Sequence, residues 1–148
     1  MTRDVLISIR GAQIQEANQE QVELITTGDY FLKNGKHYIL YDEVSEGNEG
    51  IIRNTIKVLP ESMNIIKRGA ISTDMLFEKN QKKMTCYTTP FGDMMVGIHT
   101  SEITVEEEEE LLQIKVDYSL DINYEHVAEC NIVLSVRPRE NASLDLQS

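Results

Sequence analysis

Leu112-Gln113-Ile114-Lys115-Val116-Asp117-Tyr118-Ser119-Leu120-Asp121-Ile122-Asn123-Tyr124 alternates apolar and polar residues without a break. Successive side chains of a β-strand point to opposite faces, so a period of two describes a long strand with one buried and one wet face. A helix would instead bury a stripe at three- and four-residue spacing. The same pattern recurs in His126, Ala128, Cys130, Ile132, Leu134 and Val136, and it opens the chain in Val5, Ile7 and Ile9.

Turn chemistry separates these runs. Asn34-Gly35 lies between Asp29–Lys33 and Lys36–Val44, and both residues tolerate the positive φ that a two-residue hairpin turn demands. Gly47-Asn48-Glu49-Gly50 and Pro60-Glu61-Ser62 mark the next two turns. Glu78-Lys79-Asn80-Gln81 divides Ile71–Phe77 from Lys82–Thr88, and Pro90 with Gly92 introduces Asp93–Val105. Two segments rich in helix formers, Gln15–Leu24 and Glu106–Leu112, lack caps and a wide apolar stripe. The first reads as a hairpin loop near Ala17-Asn18 with the strand that follows it, the second as a charged loop. Turns at such short intervals predict an all-β, antiparallel domain of about eight to ten strands. Long strands with exposed edges invite pairing with other chains, so a closed or nearly closed β-barrel is expected over residues 1–137. Residues 138–148 lack periodicity and read as a frayed tail.

The 148 residues are 41% apolar with a formal net charge of −11. That suits one domain with one core, and it disfavours nucleic acid and anionic membranes as partners. The first residues have no long apolar stretch, and Cys86 and Cys130 lack metal or redox spacing. A cytoplasmic protein with two buried free thiols is the expectation. Tyr38-Ile39-Leu40-Tyr41, Ile65-Ile66 and Met94-Met95-Val96 are apolar on both faces, which predicts an outer wall covered either by a segment of the chain or, the favoured reading, by a second subunit in a homodimer.

The ordered set Gly28-Asp29-Tyr30, Tyr38-Ile39-Leu40-Tyr41-Asp42-Glu43, Lys67-Arg68-Gly69, Met75, Phe77, Tyr87-Thr88-Thr89-Pro90-Phe91-Gly92 and Thr100 resembles the YwiB-like family. The resemblance runs through roughly residues 3–137. It implies a calycin-like barrel, of lipocalin and streptavidin type, in a group of small bacterial proteins, mainly from firmicutes, without an established activity. The chain has no tryptophan, so neither lipocalin-type retinoid binding nor biotin binding carries over.

No nucleophile elbow, phosphate loop, dinucleotide fingerprint or paired-histidine metal motif is present, so no catalytic residue, metal or cofactor is expected and a non-enzymatic role is favoured. The five acids Glu106–Glu110 lack the turn residues of a calcium loop and read as solvated. His37 and His126 read as surface residues, whereas His99, in mid-strand, is a candidate for the pocket. Arg68, before a bulge expected at Gly69, is the candidate anchor for an acidic ligand group, with Glu43 as its partner. Tyr38, Tyr41, Tyr87 and Tyr118 complete the candidate ligand-binding set, and Thr89-Pro90-Phe91-Gly92 a candidate rim loop. The expected function is binding of a small, partly apolar ligand inside the barrel. The alternatives are a filled barrel acting through a partner surface, and an enzyme using His99 or Glu43.

Overall fold

A computed structural model describes residues 3–15, 18–44, 50–69, 72–89 and 92–139, with the side chains of 14–15, 18–20 and 88–89 excepted. Ten strands account for nearly all of them: β1 (Asp4–Gln15), β2 (Asn18–Lys33), β3 (Lys36–Val44), β4 (Ile51–Leu59), β5 (Ser62–Arg68), β6 (Thr73–Glu78), β7 (Gln81–Thr89), β8 (Gly92–Glu108), β9 (Leu111–Ile122) and β10 (Glu125–Pro138). They form one antiparallel sheet in the order β6-β5-β4-β3-β2-β1-β10-β9-β8-β7. Each strand thus lies beside its sequence neighbour, and pairing of β1 with β10 curls the meander into a nearly closed barrel.

The seam lies between β6 and β7. Their two-residue link, Lys79-Asn80, gives its N–H groups away from its own hairpin, to the carbonyls of Glu61 (3.1 Å) and Thr100 (2.8 Å). No backbone ladder joins β6 to β7 among the described residues; Thr85 Oγ1 instead donates to the Asp74 carbonyl at 3.2 Å.

Register explains the core. Ile7 lies opposite Val136, Ile39 opposite Ile56, and Val116 opposite Ile103, so one face of every such pair turns inward. Val5, Ile7, Ile39, Val58, Met63, Phe77, Leu112, Ile114 and Val116 are fully or almost fully buried there. Each such side chain contributes about 1.5–3 kcal/mol by leaving water. Asn34 and Gly35 both take positive φ in the β2–β3 turn (54° and 76°), as their hairpin demands. At Gly28 β3 crosses close beneath β2: a Cβ there would lie 2.2 Å from the Leu40 carbonyl oxygen.

Several expectations shift. The long strand ends at Ile122, because Asn123 and Tyr124 (φ 50° and 68°) form the β9–β10 turn. Asn123 clasps Met95, accepting from its N–H through Oδ1 and donating its own N–H to its carbonyl. Glu106–Glu108 continue β8 rather than forming a loop, since Gln113, Leu112 and Leu111 pair with them, and only Glu109-Glu110 turn. The bulges fall at Ser101 and Val127, not at Gly69, which follows the end of β5. Cys130 is buried as expected, but Cys86 faces outward and is exposed, with both thiols free. Of the doubly apolar runs, Tyr38, Leu40, Ile66 and Met95 face outward; Leu40 is exposed and the other three are partly buried. Ala17, Gly47–Glu49, Pro90-Phe91 and residues 140–148 lie outside the described residues, and with them the centres of three expected turns and most of the tail.

Candidate functional site

The two ends of the barrel differ. At one end Tyr30 and His37 are buried beside the β8–β9 hairpin. His37 had the look of a surface residue, yet it shares the inward face of β3 with Ile39 and Tyr41 and is only 6% exposed. Its Nδ1 meets the Tyr30 hydroxyl at 2.7 Å, and its Nε2 lies 3.6 Å from Glu107 Oε2. One member of the acidic run therefore turns in over a buried histidine. The period of two through His37, Ile39 and Tyr41 was the signal that placed His37 inside.

Toward the other end, where the connections 16–17, 45–49, 70–71 and 90–91 lie outside the described residues, the inward side chains are less completely buried. Leu24, Ile65, Met75, Met94, Leu120 and Ile132 face the core by register yet are only partly buried. Phe77 lies edge-on to Tyr118, with ring centroids 5.0 Å apart. It is fully buried, while Tyr118 is only partly so.

Into this apolar wall is set one polar row. Tyr41 lies opposite Asn54, Asn54 opposite Lys67, and Lys67 opposite Thr73, all on the inward face of β3 to β6. Across the seam Tyr87 is inward on β7 and packs against the core. Lys67 Nζ reaches Glu43 Oε1 at 2.7 Å, with both side chains about 30% exposed. Asn54 is 1% exposed; its Nδ2 donates to the Ile52 carbonyl, and its Oδ1 has no partner among the described residues.

Of the seven residues singled out from sequence, the structure turns four inward: Tyr41, Glu43, Tyr87 and Tyr118. It turns three outward. Arg68 is exposed, its Nη1 donating to the carbonyls of Lys67 and Thr73 at 3.0 and 3.2 Å. It lies along an open cleft of about 750 Å³ where β2 and β3 diverge, whose lining takes in Gly28, Tyr41 and Asn54 as well as Leu40, Asp42 and Arg53. The partner of Glu43 is Lys67, because alternation puts that residue, one place earlier, on the face of Met63 and Ile65. His99 is exposed on the outer face of β8 and Tyr38 on the outer face of β3 is partly buried. His99 and Glu43 therefore do not converge, and the proton-transfer arrangement considered for them is not formed. Asn54 and Lys67 were missed, although their spacing from Ile56 and Ile65 carried the information. Among the described residues no group of three or more His, Cys, Asp or Glu side chains is placed to hold a metal.

Burial pushes the phenols of Tyr41 and Tyr118 well above their ordinary value, with Glu43 adding to the shift at Tyr41 and Cys130 at Tyr118. Tyr30 and Tyr87 are raised as well, chiefly by burial. In the unfolded chain these groups ionise near 10, so the stability they contribute is complete below that pH and is lost as the pH climbs toward their folded values. In an alkaline titration, phenolate absorbance from these four of the six tyrosines should appear together with loss of the β-sheet circular dichroism. Ionisation of all six with the sheet intact would contradict the inward placement.

These features define a class: a small, nearly closed, antiparallel ten-stranded barrel. The chain belongs to the family described as Domain of unknown function (DUF1934), whose model matches residues 7–134. It is 25% identical over 121 residues to the uncharacterized beta-barrel protein YwiB of Bacillus subtilis (strain 168), covering 82% of this chain and 84% of that one. The crystal structure of ywiB protein from Bacillus subtilis superposes with a TM-score of 0.77 at 23% identity, over 92% of each chain, a likeness of fold. Among the described residues no helix is long and apolar enough to cross a membrane.

Proposed function

We propose that this protein binds a small, partly apolar molecule in the interior of its barrel, without chemistry on it, in the manner of calycin-type barrels. The observation that carries the reading is the inward wall of Leu24, Ile65, Met75, Met94 and Leu120, apolar yet only partly buried. A wall with no use for its interior gains by filling it, because each inward methylene left wet forfeits about 0.8 kcal/mol. A neutral fluorescent probe such as N-phenyl-1-naphthylamine should brighten on binding. Leu120→Trp, which adds bulk to the inner wall, should weaken that binding at least tenfold, whereas Leu40→Trp on the outer face should leave it unchanged. Equal binding by both variants would overturn the reading.

The outer wall favours a second role less strongly. Phe31, Tyr38 and Leu40 adjoin there, but the Arg3 guanidinium already covers Phe31, 4.9 Å from its ring centroid. A homodimer through this wall would show directly in a native mass spectrum. Two free cysteines accord with a cytoplasmic location, which belongs to the same proposal.

A further inference from the structure

We infer that the cleft between β2 and β3 receives an extended peptide segment of a partner protein, which adds as a strand to the free edge of β2 and sets a carboxylate side chain on Arg53 and Arg68. This surface lies outside the barrel and is independent of the interior-ligand reading. Its edge follows from the register. β2 pairs with β1 from Asn18 to Asp29, but with β3 only from Asp29 to Lys33. The two-residue turn Asn34-Gly35 makes Lys33 and Lys36 a hydrogen-bonded pair, so every second residue back from Lys33 directs its N–H and C=O toward β3. The residues between them bond to β1, as the Tyr30 N–H does to the Arg3 carbonyl at 2.8 Å. Beyond Asp29 the backbones of Thr27, Ile25, Glu23 and Gln21 therefore face a gap and have no ladder partner there among the described residues. The Thr27 carbonyl meets the Thr26 hydroxyl at 3.5 Å. A row of alternating donors and acceptors is matched by another extended backbone. Neither Pro nor Lys guards this edge, and Val22 and Ile25 are exposed on it.

Charge on the cleft names the side chain that such a strand would carry. Thr26–Asp29 line the β2 side, and Leu40, Asp42, Arg53, Thr55 and Arg68 line the opposite side, in a space of about 750 Å³. Arg53 lies directly opposite Arg68, and like charges so placed repel. Arg68 is steadied through Nη1 by the carbonyls of Lys67 and Thr73, which leaves Nη2 and Nε for an incoming group. Two carboxylates share the lining. Asp29 is held by Arg3 at 3.7 Å, and Asp42, opposite Arg53, offsets one of the two arginines. One positive charge is left over in a chain of net charge −11, so a single carboxylate is matched there and an ammonium is not. A second copy of this chain fits less well, because pairing β2 with β2 would bring a further net charge of −11 against this one, with Glu20 and Glu23 on both edges.

The test measures fluorescence anisotropy of labelled, N-acetylated heptapeptide pools on the full chain. The pools differ only at a fixed central residue, glutamate, glutamine or lysine, with threonine, valine and tyrosine mixed at the other positions. The glutamate pool should bind about tenfold more tightly than the lysine pool, the worth of one hydrogen bond to a charged group. That preference should vanish in the double variant Arg53→Met with Arg68→Met. Ile25→Pro removes one donor from the free edge and none from the β1 ladder, so it should keep its circular dichroism and weaken every pool at least tenfold. N-methylation of alternate amides in one glutamate peptide tests the same bonds without altering the protein, and one of the two alternating sets should weaken binding far more than the other. Equal binding of the three pools by the wild type would overturn the carboxylate assignment, as would a preference that survives the double variant. Equal tolerance of both N-methyl sets, or full-strength binding by a folded Ile25→Pro, would overturn strand addition. Failure of every pool to bind would overturn the whole inference and leave the interior-ligand reading standing on its own probe. A wild-type dimer in the native mass spectrum that Ile25→Pro dissociates would put a second copy, not a peptide, on this edge.

Discussion

Gly28→Ala should be among the most damaging single substitutions in this chain. The added Cβ would sit 2.2 Å from the Leu40 carbonyl oxygen, 2.7 Å from Ile7 Cδ1 and 3.1 Å from Tyr41 Cβ. The first of these is backbone within the β2–β3 ladder, where Asp29 lies opposite Leu40, so it cannot swing aside as a side-chain end would. Relief requires β3 to move off β2 at the point where the two strands begin to diverge. Overpacking of this kind costs about 3 kcal/mol or more. For a domain of this size that lowers Tm by roughly 10 °C. A Gly28→Ala protein that melts within a degree or two of the wild type would show that β3 does not cross there so closely.

Phe77→Ala should cost about 3–5 kcal/mol, because the ring is fully buried and its loss leaves a cavity that the sheet cannot close. The effect extends to binding. Phe77 packs edge-on to Tyr118 in the barrel interior, so its removal lets the inner wall accept a longer hydrocarbon. Denaturant unfolding should give the loss of stability. Competition with alkanols of increasing length should show the optimum moving to longer chains in Phe77→Ala. An unchanged optimum would mean that Phe77 does not bound the binding space. A nearly full-strength fold would mean that the ring is less enclosed than its burial indicates.

Much of this architecture could be read in the residues themselves. The alternation through Leu112–Ile122 and Glu125–Val136 states strand and inward face together, and Asn34-Gly35 states a hairpin. Where alternation is clean, as at Cys130, Ile132 and Leu134, the sequence assigns the buried face correctly. It misleads where charge or polarity suggests exposure. His37 and Glu107 look like surface residues singly, but each holds an inward register position, and their mutual approach gives both a reason to be there. Arg68 and Lys67 are the reverse case. Arg68 was the candidate for the interior, but a shift of one residue exchanges the two faces, and Lys67 is the cation that turns inward. Only the pairing of Lys67 with Asn54 and Thr73 decides between them.

By itself, the sequence determined the class of fold, the succession of strands and turns, the family, and an acidic chain with an apolar core. Those properties depend on local preference and on period, which neighbouring residues carry between them. The tertiary structure decided what local pattern cannot carry: that β6 and β7 face each other across a seam without a backbone ladder among the described residues, that Tyr30 meets His37 in the interior, and that Tyr41, Asn54, Lys67 and Thr73 form one inward row. These depend on register between strands far apart in the chain. Register is settled only when the whole sheet curls and every strand must satisfy both neighbours at once.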